Sequence, residues 1–234
     1  MHGRANGSLW VLSALLCAAG AARASTVTYD FNTEFSGGQA PAGPSPWIIA
    51  TFTDLTGGAH AGSVQLTIST AATIAAASIS EIDFNIDPAL TGQLGAGTGT
   101  GNLQFTSGNG GAGTISASTI TAREDGFKAD GDGRYDIQLM YPTGGGFNKS
   151  MTSTYYITDS KATISALSFF FLSTSSGGHG PFYSAAHVQN TTGAGSGGSG
   201  WVAPVAAVPL PAAAWLLISG LCGVGTFARK KREA

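Results

Sequence analysis

The chain has 234 residues, a formal net charge of −2 and 10% charged residues, with 35 glycines and two cysteines. Its charge is uneven: between Ser25 and Ala207 five cations face twelve acids, a net −7, because most basic residues sit near the termini. Such an acidic body repels phosphate backbones, which excludes nucleic acid as a partner. Cys17 and Cys222 both lie in terminal apolar segments, so the body has neither a disulfide nor a thiol nucleophile. Its roughly 180 residues suffice for one domain held by its core alone.

The N-terminus reads as an export signal. Arg4 precedes an apolar run from Leu9 to Ala18, and Ala22-Arg23-Ala24 fits an A-x-A cleavage site. Residues 1–24 are therefore expected to be a signal peptide, with Ser25 first in the mature chain. Leu16 stands before Cys17, where a lipoprotein box needs a small residue, so lipidation is rejected.

From Ser25 onward the dominant pattern is short runs of period two, broken by Gly, Ser, Thr and Asn. Val27, Tyr29 and Phe31 alternate with polar residues; Trp47–Thr53 follows the Pro41–Pro46 turn; Val64, Leu66 and Ile68 make a third strand; Ile82, Phe84 and Ile86 make a fourth, stopped by Pro88. Between Thr70 and Ser80 the alanines suggest one short helical turn. The glycine-dense stretch Leu94–Gly113 reads as a long loop around one weak strand at Leu103 and Phe105. Further strands are expected at Ile115–Ala122, Tyr135–Tyr141, Thr154–Thr158, Ile164–Ser173 and Phe182–Val188. Residues 25–192 thus read as one all-β domain, an antiparallel β-sandwich or jelly roll of about nine strands. Residues 193–207, beginning GAGSGGSG, read as a linker.

Candidate chemistry concentrates in Glu124–Asp136, which holds five of the body's twelve acids. Clustered carboxylates on glycine turns suit calcium, which takes six to eight oxygen ligands, so Asp130, Asp132 and Asp136 are the candidate metal ligands. The EF-hand template fails there, because Arg134 takes the third ligand position and Tyr135 the place of the turn glycine. The competing reading is a solvated acidic turn leading into a strand. His60, His179 and His187 lack zinc-ligand spacing, no serine sits in a G-x-S-x-G elbow, and no pair among Glu34, Glu81 and Glu124 is marked as catalytic. No catalytic residue is assigned. The aromatic residues Trp47, Tyr141, Phe147, Tyr155, Tyr156, Phe182, Tyr183 and Trp201 suit either a core or a sugar-stacking platform. Trp201, placed in the linker, would have to dock on the domain or on a partner.

The last twenty-seven residues have three parts: Val208-Pro209-Leu210-Pro211-Ala212, an uncharged apolar run over 212–228, and the cations Arg229, Lys230, Lys231 and Arg232. As a helix the seventeen apolar residues would span roughly 26 Å, near the lower limit for a bilayer crossing. The four cations would stay in the cytoplasm and leave the body outside. An ordinary single-span anchor would satisfy the same physics.

Motif, apolar run and basic end together resemble the C-terminal sorting signal of PEP-CTERM exported proteins, in the VPLPA form. The resemblance implies processing by an exosortase, a membrane cysteine transpeptidase, after transient anchoring in the inner membrane. Pro46–Phe52, Asp130–Ile137 and Gly180–Val188 also resemble the bodies of PEP-CTERM proteins of unknown function. The resemblance implies a structural or adhesive protein of the cell envelope, biofilm or extracellular polymer. A carbohydrate-binding lectin-like module and an envelope glycoside hydrolase are the alternatives.

Overall fold

The computed structural model describes residues 24–210 apart from 75–76, 96, 98, 131–132, 144–145 and 192–197. The signal segment before Ala24 and the expected transmembrane helix 212–228 lie outside the described residues. Ten strands follow one another: β1 (Thr26–Ser36), β2 (Ile48–Asp54), β3 (Val64–Thr70), β4 (Ser78–Phe84), β5 (Leu103–Ser107), β6 (Thr119–Lys128), β7 (Arg134–Met140), β8 (Thr152–Asp159), β9 (Ser184–Gln189) and β10 (Ser199–Leu210). Short 3-10 turns at Ala72–Ile74, Pro88–Gln93 and Ala166–Phe169 complete them.

The all-β, antiparallel class holds. All ten strands belong to one sheet, in the order β5-β8-β3-β2-β1-β10-β9-β4-β7-β6. The sandwich expectation placed two sheets; here one sheet curls until its halves face each other. Phe52 on β2 and Phe84 on β4 stand four strands apart in the sheet, yet their rings meet edge-on at 5.1 Å. Right-handed twist accumulating over ten strands makes that closure possible. At the β6 edge Gly95 N–H donates to Ala122 O (3.0 Å) and Ala122 N–H donates to Gly99 O (3.1 Å).

Period two explains the core. Val27, Tyr29 and Phe31, then Ala50 and Phe52, then Val64, Leu66 and Ile68 are all buried inside, while the threonines between them face out. Phe169 stacks on Phe52 at 4.4 Å and the Tyr29 hydroxyl donates to Phe169 O, so Ala166–Phe169 plugs one end.

Two expectations need correction. Ile164–Ser173 is not a strand: Ser168 Oγ accepts the Ser165 N–H at 3.1 Å, a local side-chain bond that holds the segment as a turn. The linker ends early, because Ser199–Leu210 is β10, paired with β1 along its length and with β9 at Ser199–Val202. The domain therefore runs on to Leu210. Trp201 is only 9% exposed and packs with Phe35, Tyr135, Ala185 and Ala203 in a second cluster. Prolines at 204 and 209 cannot donate to a ladder, and register shifts of β1 flank Phe31, the partner of Pro204.

Candidate functional site

The first and last strands of the described residues pair to their ends. Thr26 pairs with Leu210, Val27 with Pro209 and Thr28 with Val208, so three residues of the sorting motif form the last rungs of the β1–β10 ladder. Pro211, Ala212, the cations Arg229, Lys230, Lys231 and Arg232, and Ala22 lie outside the described residues. Ala24 is exposed, and Ser25 follows it at the foot of β1. There Asp54, the last residue of β2, gathers the end of the barrel: its Oδ2 accepts Ser25 N–H at 2.9 Å and its Oδ1 accepts Ala166 N–H at 2.6 Å.

The acidic segment divides. Asp130 accepts the Ser36 hydroxyl at 3.0 Å. Asp136 is 7% exposed and takes Ile86 N–H on Oδ2 (3.1 Å) and Asp125 N–H on Oδ1 (2.9 Å). Asp132 lies outside the described residues. Asp130 and Asp136 thus serve different partners. What the fold brings to one place is Glu124, Asp125 and Asp136, which line a pocket of about 120 Å³ with Asn85, Ile86 and Leu172. Asp125 adopts φ +48°, the left-handed region, and its strain is offset by the bond to Asp136. Burial raises the Asp136 carboxyl pKa, while the two backbone donors oppose the shift. Among the described residues no group of three or more His, Cys, Asp or Glu is arranged to hold a metal ion.

A second polar group escaped sequence reading. On β4, Glu81 and Asp83 are two apart and share a face, with Ile82 and Phe84 turned into the core. Asp83 is fully buried and neither carboxylate oxygen has a partner among the described residues. Burial first, and the Glu81 charge second, push its pKa well above the ordinary carboxylate range. Gln138 on β7 donates to Glu81, whose pKa burial also raises. The only sequence signal was a pair of acids alternating with Ile and Phe in a strand.

Beside them, Ser80 Oγ lies 2.9 Å from His187 Nδ1, and His187 stacks on Trp201 at 5.0 Å. A serine–histidine contact is the start of a nucleophile, but Ser80 is 4% exposed and its hydroxyl also reaches His187 O at 3.3 Å. Burial lowers the His187 pKa, against a smaller opposite effect of Asp130, and so favours the neutral ring. This is a cross-strand tie.

Of the aromatic candidates, Trp47, Tyr141, Phe147, Tyr155 and Trp201 are buried. Tyr183 stacks on Phe170 at 4.5 Å, and Phe182 packs on Phe35 at 4.9 Å. Tyr156 alone stands on the outer face, with the exposed ring of His60 parallel to it at 3.6 Å. Next to it the outward residues Thr28, Thr51, Thr67 and Thr154 are aligned across four strands.

Comparison with protein-family models, with curated proteins and with solved structures finds no match to this chain.

Proposed function

We propose that the chain is an exported bacterial protein of the cell surface or extracellular matrix, with a structural or adhesive role and no catalysis. A signal peptide is cut between Ala24 and Ser25; the 212–228 segment then holds the body at the inner membrane, with Arg229–Arg232 inside. An exosortase acts at Val208–Ala212 and releases the body to the envelope or the polymer. One observation carries this reading: Thr26 and Leu210 are direct partners, so both apolar segments join the body at the same place. A single pole facing the membrane suits a protein threaded at one end and held at the other. Within the all-β class, the facing halves of the curled sheet are read as a jelly-roll-like sandwich.

Expression with and without a cognate exosortase, followed by membrane fractionation, tests the proposal. Release of the body only when the enzyme is present is expected. Equal membrane retention in both would leave a plain single-span anchor.

A second reading, a carbohydrate-binding module, is favoured by the His60–Tyr156 stack beside the uncharged threonine row. Aromatic faces and hydroxyls together are what neutral sugars engage. Glycan-array binding that disappears in Tyr156→Ala would support it.

A further inference from the structure

We propose that the barrel end formed by Ser25, Asp54 and Leu167 rests directly on the outer headgroup layer of the membrane. The inference rests on the reading of 212–228 as a membrane span. Sequence composition suggested a flexible spacer before that segment, which would let the body stand away from the lipid. The fold removes the spacer, because backbone pairing continues through Leu210. Only Pro211 separates Leu210 from the apolar run. One extended residue reaches about 3.3–3.6 Å, whereas the headgroup region on each side is roughly 5–7 Å deep. A span beginning at Ala212 therefore holds this end of the sheet at headgroup depth.

The residues at this end suit that position. Ser25 precedes Thr26, the partner of Leu210, and Asp54 ties Ser25 to Ala166. The next residue, Leu167, is 47% exposed, one of four large apolar side chains left open among the described residues. A bilayer interface accepts such a leucine at a gain that water does not offer. Lys161, exposed in the same connection, supplies a cation for anionic headgroups. The neighbouring acids already accept backbone N–H groups: Asp159 from Lys161 (2.7 Å) and Ala162 (2.9 Å), Asp87 from Ala89 (2.9 Å). The opposite end carries Lys149, beside Asn148, whose carbonyl accepts the Thr70 hydroxyl at the far end of β3.

The test uses the chain from Ser25 through Ala234 with Cys222→Ser, reconstituted in vesicles of phosphatidylethanolamine and phosphatidylglycerol. A single cysteine is placed at Leu167→Cys or at Lys149→Cys and labelled with an environment-sensitive fluorophore. Aqueous iodide and lipid-borne spin labels then serve as quenchers. At 167 iodide quenching is expected to fall severalfold relative to the body ending at Leu210, and the lipid quencher to act; at 149 neither is expected to change. Protein that floats with the vesicles but shows iodide quenching at 167 equal to the free body overturns the docking while keeping the span. Protein that fails to float overturns the span, and the docking with it.

Discussion

Ser25 and Asp54 hold each other through two hydrogen bonds: the Ser25 amide donates to Asp54 Oδ2 at 2.9 Å, and the Asp54 amide donates to Ser25 O at 3.0 Å. If the signal peptide is cut before Ser25, that amide becomes an ammonium group beside a carboxylate. Maturation would then convert a neutral hydrogen bond into a charge-assisted one. The two residues are partly exposed, so the gain is expected to be about 0.5–1 kcal/mol. A Ser25–Leu210 body with a free amine should melt roughly 1–4 °C above the same body acetylated at Ser25. The difference should shrink in high salt and vanish in Asp54→Asn. Equal midpoints for the free and acetylated forms at low salt would refute the pairing.

Asp83 makes stability depend on pH. Its folded pKa is raised by burial and by Glu81, whereas the unfolded side chain titrates near 3.9. The sign follows from proton counting: the folded state holds the proton more tightly, so its stabilising contribution is complete below about pH 3.9 and is lost as pH rises toward the folded pKa. Asp83→Asn cannot ionise. Its stability relative to wild type should therefore climb as pH rises above about 4 in denaturant melts, and level off once the folded pKa is passed. A gap that stays constant as pH rises would mean that Asp83 does not carry a proton in the fold.

Asp136 separates the calcium expectation from a structural role. Its two oxygens satisfy the amides of Ile86 and Asp125, and it is almost entirely buried. Asp136→Ala leaves both donors unpaired and is expected to cost about 2–4 kcal/mol. Because Asp130 is engaged by Ser36 elsewhere, millimolar calcium and chelator should give the same melting midpoint for the wild-type body. A calcium-dependent rise that disappears in Asp132→Asn would restore the metal at this turn.

Strands whose two faces differ were legible, and the others were not. In β1 and β3 apolar residues alternate with polar ones over most of the strand, so alternation located Tyr29 and Leu66 in the core. β10 carries Gly200, Ala203, Pro204, Ala206, Ala207 and Pro209, a composition that reads as linker. It is a strand because β1 offers a long edge, and tertiary pairing overrode local preference. In the opposite direction, Ile164–Ser173 has strand-like residues but serves as a plug, since Phe169 finds Phe52 across the barrel. The acid pair at Glu81 and Asp83 was unreadable for a similar reason: the outward face of β4 would ordinarily be wet, and only the folded chain shows Asp83 fully covered.

Under the proposed function, both terminal segments are removed from a body whose Thr26 and Leu210 are direct partners. The intact mass of the protein recovered from its native cells tests it most directly. A chain that begins at Ser25 and ends within Val208–Ala212, with or without an attached group, is expected. A mature chain that still carries residues 214–234 would contradict that removal.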